Sequence, residues 1–413
     1  MSAWLTRDEA LDRLGVRAQT LYAYVSRNQI GMQPDPADPR RSLYRLEDVE
    51  ALTTRRARGR RVAAIAESAV AWGEPVFATQ LSTVIHGRLI YRGEDAVTFS
   101  RDASLEDAAR LLWASASTPR FATSGAPAEQ FQENRVAVFR PELRENKEVE
   151  CFRVSAENGN AAETGIDQAF LVLARLAARG QPSLGRNAAV LQADAMPAIA
   201  ALAGALGAAP GAEPVHLRLA RGWRVEQAAE VLRRVMVLVA DHELNASAFA
   251  ARVAASTGAP LVACLLAGLS TLYGPRHGTA ADAVAMLVDD AARIGVRAAM
   301  ARWIDHDRPL PGFGHPLYPD GDPRGAALLA DMQLEDHILE LRQAAFDATG
   351  AQPTVDFALV ALTRSYRLPV DAPIRLFALG RSVGWTAHAI EQVMSGKLIR
   401  PRARYEGPLP AGA

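Results

Sequence analysis

Apolar residues recur every three or four positions over 223–240, with Val225, Ala228, Val231, Leu232, Val235, Met236 and Val239 on one face. That spacing predicts a helix packed against a core. Residues 103–113 repeat it through Leu105, Ala108, Ala109, Leu111 and Leu112. Over 260–273 the polar face almost vanishes, which predicts a buried helix running from Leu261 to His277 after the break at Gly258-Ala259-Pro260. Further helical stretches are expected over 248–256, 280–295, 297–306, 325–350 and 373–395. Residues 82–93 instead alternate like a short strand pair, with His86 in the turn. Over 115–163 the periodicity fades among Pro119, Gly125, Pro127 and Pro141, and loops with one ill-defined helix are expected. No βαβ alternation appears, so the fold is predicted to be mostly α.

Residues 1–61 differ in composition. A segment from Trp4 to Leu14 ends at Gly15, and Gln19 to Val25 opens a second helix after a turn, a helix-turn-helix pattern. The Pro- and Asp-rich loop 34–41 followed by Tyr44-Arg45-Leu46-Glu47-Asp48-Val49 resembles the wing and third helix of MerR-type and excisionase-type DNA-binding domains. Twelve arginines face eight acidic residues in this block, with the excess from Arg40 onward. Arg40 and Arg41 are placed to neutralise phosphates, and Gln19, Thr20, Tyr22 and Arg27 to meet base edges on the second helix. The same pattern also serves as a packing or dimerisation module.

The whole chain of 413 residues is 49% apolar and 22% charged with zero net charge. Such a chain is long enough for two or more domains and is not a generally basic nucleic-acid binder. Cys151 and Cys264 stand far apart, which suggests neither a disulfide framework nor a cysteine zinc site and fits a reducing cytoplasm. The first residues lack the apolar core of a signal peptide, and 260–273 is shorter than the roughly 20 residues a membrane span needs, so no membrane partner is expected.

Chemistry enters at three histidines in stiff or tight surroundings. Gly274-Pro275-Arg276-His277-Gly278 sets one between glycines, where a backbone can approach a ligand closely. Pro311-Gly312-Phe313-Gly314-His315 does so again, ahead of Asp322-Pro323-Arg324, and Asp241-His242-Glu243-Leu244-Asn245 closes the 223–240 helix. Asp356 lies between Val355 and Phe357, apolar neighbours expected to raise its pKa, and Arg381 follows Gly380. In this order, over roughly 80–407, the set resembles the active site of the citrate synthase family. The 82–93 segment, ending Tyr91-Arg92-Gly93, resembles the family's opening hairpin.

The resemblance implies a large helical domain (62–269 and 366–413) split around a small one (270–365), with 1–61 attached in front. It implies condensation of acetyl-CoA with oxaloacetate to citrate and CoA. Asp356 would take a proton from the thioester methyl, His277 would donate to the enolate oxygen, and His315 would polarise the ketone. His242, Arg324, Arg381 and Arg400 would hold oxaloacetate, Arg400 coming from the other subunit of a homodimer, since the planar guanidinium binds carboxylates bidentately. The CoA thioester enters as substrate, with no cofactor implied. A metal site is not expected, because the histidines lack a paired spacing such as H-E-x-x-H.

The chain also departs from the family. No histidine-proline-methionine segment with its arginine is found, Ala281 and Asp282 stand where an asparagine and an acidic residue usually follow, and Pro316 and Pro319 stand where basic residues are common. These changes fall where CoA should bind. Propionyl-CoA, larger by one methyl worth ~1–3 kcal/mol in a pocket, is therefore an alternative donor, with 2-methylcitrate the product. A DNA-binding regulator keeping the synthase fold as a metabolite sensor is the remaining reading, and the presence of Asp356 favours an enzyme.

Overall fold

The computed structural model describes residues 4–15, 21, 24–25, 30–36, 38, 41–51, 53, 77–114, 164–304, 309–403 and 407. They fall into two compact units that divide between Ala78 and Thr79.

In the first unit, β1 (Trp4–Leu5) leads into α1 (Arg7–Leu14). Thr6 and Glu9 form a reciprocal cap: the threonine side chain accepts from the Glu9 amide and the Glu9 carboxylate accepts from the Thr6 amide at 2.8 Å. Two amides that the first turn leaves free are thereby satisfied. Strands β2 (Met32–Pro34) and β3 (Ser42–Arg45) pair antiparallel, and β1 joins the far edge of β3. Leu5, Leu14, Leu21, Ile30, Tyr44 and Val49 form a small core of its own. Leu21, Tyr24 and Val25 are helical, whereas Gln19, Thr20, Tyr22, Arg27 and Arg40 lie outside the described residues. Arg41 is exposed, 3.4 Å from Asp38.

The second unit opens on the expected hairpin, β4 (Ser82–Ile85) and β5 (Arg88–Tyr91), with β6 (Glu94–Asp95) as a third strand. His86 and Gly87 both take positive φ, 50° and 70°, the turn whose twist matches that of paired strands. Helices follow: α2 (Ala96–Phe99), α3 (Leu105–Trp113), α4 (Ile166–Arg179), α5 (Ala188–Ala205), α6 (Val215–Trp223), α7 (Ala229–Leu238), α8 (Ala246–Ser256) and α9 (Leu261–Leu272). Then come α10 (Ala280–Ile294), α11 (Val296–Ile304), α12 (Pro323–Leu329), α13 (Asp336–Thr349), α14 (Val355–Ser365) and α15 (Ala372–Ser395). One apolar core joins them, from Leu89 and Leu112 through Leu232 and Leu265 to Phe357 and Trp385. The unit is mostly helical, as the absence of βαβ alternation predicts.

Three expected helices end differently. Arg224, in the left-handed region at φ 59°, ends α6, so the 223–240 pattern resolves into a 3-10 turn (Glu226–Ala228) and α7. The buried run stops at Leu272 because the Gly278 amide folds back onto the Leu272 carbonyl at 2.8 Å, which puts His277 in a tight turn beyond the helix. The 325–350 stretch is two helices, α12 and α13, the first starting at Pro323. Helices α4 and α5 carry no sequence expectation above. By length and composition alone α5 could cross a membrane, at mean hydropathy 1.4, yet Leu191, Ala195, Leu202 and Ala203 are buried in the core.

The last helix organises the interior. From Ala372 to Val393, α15 is buried on almost every side, including Arg381, Ser382, Thr386, His388 and Gln392. Its glycines let it lie against the chain that leaves α7. A Cβ at Gly380 would sit 2.7 Å from the Met236 carbonyl, and one at Gly384 would meet the Asp241 carboxylate at 2.5 Å.

Candidate active site

Several segments bring the polar groups together, held by side-chain as well as backbone contacts. The turn after α7 is held by Tyr91, whose hydroxyl lies 3.1 Å from the Val237 and Leu238 carbonyls and 3.0 Å from that of Asp241. It thereby gathers carbonyls at the end of α7, where intrahelical partners run out. Glu243 anchors the same turn to β4, its carboxylate accepting from the Val84 amide at 2.6 Å. His242 is thus delivered to a fixed place, buried, with Nε2 at 2.8 Å from the Tyr318 hydroxyl. Asn245 then caps α8, its side-chain oxygen accepting from the Ala248 amide at 3.0 Å.

His277 stands on the turn after α9. Its Nε2 is 2.9 Å from the Ser247 hydroxyl, which also accepts the indole N–H of Trp385 at 3.1 Å and lies 2.7 Å from the Asn245 side-chain oxygen. Burial first, and Arg381 second, bring its pKa down to about 4.

His315 and Asp356 come from two strands of chain tied to each other. The Thr354 amide donates to the Gly312 carbonyl at 2.8 Å and the Gly314 amide to the Gln352 carbonyl at 2.9 Å. Gly312 takes φ +82°, and a Cβ there would meet Val284 at 2.9 Å, so the loop needs glycine on both counts. The His315 ring accepts the Leu317 amide on Nδ1 at 3.1 Å and lies edge to face with His242, centroids 5.4 Å apart. Its pKa is lowered to about 4 by burial and then by Arg324. Asp356 sits in the first turn of α14, where burial pushes its carboxyl up to about 6 against the pull of Arg324. The apolar setting does what Val355 and Phe357 suggest.

The two buried arginines differ. Arg324 forms a fork with Asp322, Nε to Oδ1 at 2.9 Å and Nη2 to Oδ2 at 2.8 Å, and the same carboxylate accepts the Val355 amide at 3.0 Å. Asp322 also caps α12, so it links the Arg324 helix to the Asp356 helix. Burial opposes the Arg324 charge, but the field of Asp322 outweighs it and raises the pKa. Arg381 has no such carboxylate in contact. Its Nε donates to the Val239 carbonyl at 2.8 Å, its Nη1 is buried without a hydrogen-bond partner, and burial lowers its pKa to about 10. A buried guanidinium N–H without a partner, among other polar groups, is a place for an anion.

Among the described residues no group of three His, Cys, Asp or Glu side chains is arranged to hold a metal ion. Of the residues named from the sequence, Arg324 and Arg381 both act on His242 and Asp356, Arg381 acts on His277 and Arg324 on His315, which places the six in one neighbourhood. Arg400 is exposed on the segment after α15. Sequence reasoning passed over Ser247, Tyr318 and Trp385. Tyr318 could have been found from its place three residues after His315, whereas Ser247 and Trp385 meet only in three dimensions.

Residues 70–402 match the family described as "Citrate synthase, C-terminal domain". The chain belongs to the citrate synthase family. It is 35% identical over 195 residues to the putative citrate synthase 2 of Mycobacterium tuberculosis, a stretch covering 44% of this chain and 52% of that protein. Against 2-methylcitrate synthase 1 of Corynebacterium glutamicum it is 34% identical over 185 residues, 42% of this chain and 49% of that one. The aligned stretches thus span about half of each relative. The fold matches the citrate synthase of the archaeon Thermoplasma acidophilum, solved in ternary complex with carboxymethyl coenzyme A and oxaloacetate, at TM-score 0.62 over 81% of this chain and 94% of that one, with 22% identity.

Proposed function

We propose that the second unit condenses an acyl-CoA with oxaloacetate by citrate synthase chemistry. The observation that carries this reading is a carboxyl pushed up to about 6 that lies in the field of two buried arginines, one of them with an open N–H, while the same arginines act on two histidines lowered to about 4. Asp356 removes a proton from the thioester methyl, and a base whose pKa lies near the working pH is suited to a weakly acidic carbon. His277 donates to the enolate oxygen and His315 to the ketone; neutral rings offer N–H groups that hold the oxygen without surrendering a proton to it, as an imidazolium would. His242, Arg324 and Arg381 receive the carboxylates of oxaloacetate, and water then releases CoA from the condensed thioester.

The small domain, 270–365, supplies His277, His315, Arg324 and Asp356, and its closure on the remainder, 62–269 with 366–413, would exclude water from the enolate. Arg400 would complete the site of a second subunit. Mixing Asp356→Ala and Arg400→Ala proteins tests this, since a shared site regenerates activity in mixed dimers and self-contained sites do not.

Acetyl-CoA and propionyl-CoA differ by too little for the donor to be assigned by chemistry, and relatives named for both products support keeping both. The assay is free-thiol release from each donor with and without oxaloacetate. Oxaloacetate-dependent release supports the synthase, and the ratio of donors names the product. No release, with oxaloacetate still raising the melting temperature, moves the reading to a metabolite sensor. In that case residues 1–61 become the effector as a helix-turn-helix domain binding DNA. Binding should weaken steeply with salt and with Arg40 and Arg41 changed to alanine, and salt-insensitive binding would sink it.

A further inference from the structure

Behind the candidate site runs a chain of buried polar residues that the condensation does not use. Asp241 is fully buried. One oxygen of its carboxylate takes the Ser82 hydroxyl at 2.5 Å; the other faces Nε2 of His388 at 3.3 Å. His388, equally buried, lies on α15 two turns beyond Arg381. Its Nδ1 is 3.1 Å from Nη1 of Arg252. A guanidinium has only hydrogens to offer, so Nδ1 accepts and the ring's own hydrogen sits on Nε2, on the side of Asp241. The 3.3 Å approach there is a charge contact and not a formed hydrogen bond. Arg252 in turn holds Gln392 at 3.1 Å and Glu391 at 2.6 Å, and Glu391 accepts from the Thr79 hydroxyl and the Gln80 amide, both at 2.9 Å. The sequence runs Glu391, Arg252, His388, Asp241, Ser82, from the half-buried rim of α15 to the back of His242.

Stability alone does not account for such a chain, because apolar residues of the same volume usually serve a core as well or better. Its position suggests another role. Arg324 owns a carboxylate in direct contact, whereas Arg381 has none, and Asp241 is the acid whose field acts on Arg381 most strongly. Asp241 also immediately precedes His242, and its backbone is gripped by Tyr91. Gly384 lets α15 press directly on its carboxylate.

We infer that His388 is a positioning residue, holding the Asp241 carboxylate so that the open N–H of Arg381 and the ring of His242 face the substrate carboxylates in one geometry. This rests on the reading of the site as an oxaloacetate site. The test compares two substitutions of similar polarity in the full-length chain. His388→Asn keeps an acceptor for Arg252 but is too short to reach Asp241; His388→Gln can still offer an N–H there. Oxaloacetate binding by calorimetry should weaken about 10-fold in His388→Asn and return to within about 2-fold of the parent in His388→Gln, the size seen for residues that orient binding groups from behind. The KM for oxaloacetate should rise in parallel while that for acyl-CoA stays put. Parent-like affinity in His388→Asn overturns the inference, as does a loss in both KM values together with the melting temperature, which marks a structural role only. Absence of oxaloacetate binding by the parent protein overturns the reading of the site instead.

Discussion

The amide of Leu317 donates to Nδ1 of His315 at 3.1 Å. A ring nitrogen that accepts an N–H carries no hydrogen itself, so neutral His315 must carry its hydrogen on Nε2. That makes it a donor of fixed direction. His315→Ala should lower kcat about 100–1,000-fold, the usual loss for one donor to developing charge, with oxaloacetate affinity changed less than about 10-fold. Steady-state kinetics and calorimetry check both; comparable losses in both would make the residue a binding group.

Asp356 governs the acid limb of the rate. With its carboxyl near 6 and both histidines near 4, kcat/KM should climb about tenfold per pH unit below about 6 and level off above it. A limb centred near 4 would show that Asp356 is not the base.

The same residue makes a stability prediction. Its folded pKa, about 6, exceeds the ordinary 3.8, so the folded protein holds this proton more tightly. The stability so gained is complete below about pH 4 and lost as pH rises through 6. Asp356→Asn should therefore be the more stable protein at pH 8, by at most about 3 kcal/mol, and the advantage should vanish at pH 4. Denaturant melts at the two pH values decide it.

Ser247 has one hydrogen and three neighbours. Trp385 can only donate to it, the Asn245 oxygen can only accept, and Nε2 of His277 lies at 2.9 Å, so Ser247 both fixes the His277 ring and satisfies a buried indole. Ser247→Ala should cost about 1–3 kcal/mol through the orphaned Trp385 N–H. It should also lower kcat by freeing His277, with oxaloacetate binding unchanged.

Gly384→Ala places a methyl where the Asp241 carboxylate lies. We expect about 1–3 kcal/mol of destabilisation. Gly204→Ala, at a helical position with open space around it, should be neutral or slightly stabilising and serves as the control.

The chemistry was more legible in the sequence than the architecture around it. Histidines on glycine-bounded turns and an aspartate between apolar neighbours are local signals, and they led to groups that the fold sets under the field of the same two buried arginines. Helix positions followed from spacing, but their ends did not, because Arg224 and the fold-back of Gly278 are set by tertiary contacts. Helix α5 is rich in alanine on all sides, so amphipathic contrast gave no lead there, whereas α4 carries an apolar face through Ala169, Val172 and Leu173 that was passed over. The pairing of Asp241 with His388 and of Arg252 with Glu391 joins residues more than a hundred positions apart. No spacing rule reaches that far.

In the proposed site the positive charge resides in Arg324 and Arg381, which keep it across the whole working range of pH, whereas the base titrates near 6. Affinity for the oxo acid and the power to convert it are therefore set by separate groups. Mild acidification would uncouple them, turning a catalyst into a receptor that sequesters its ligand unchanged.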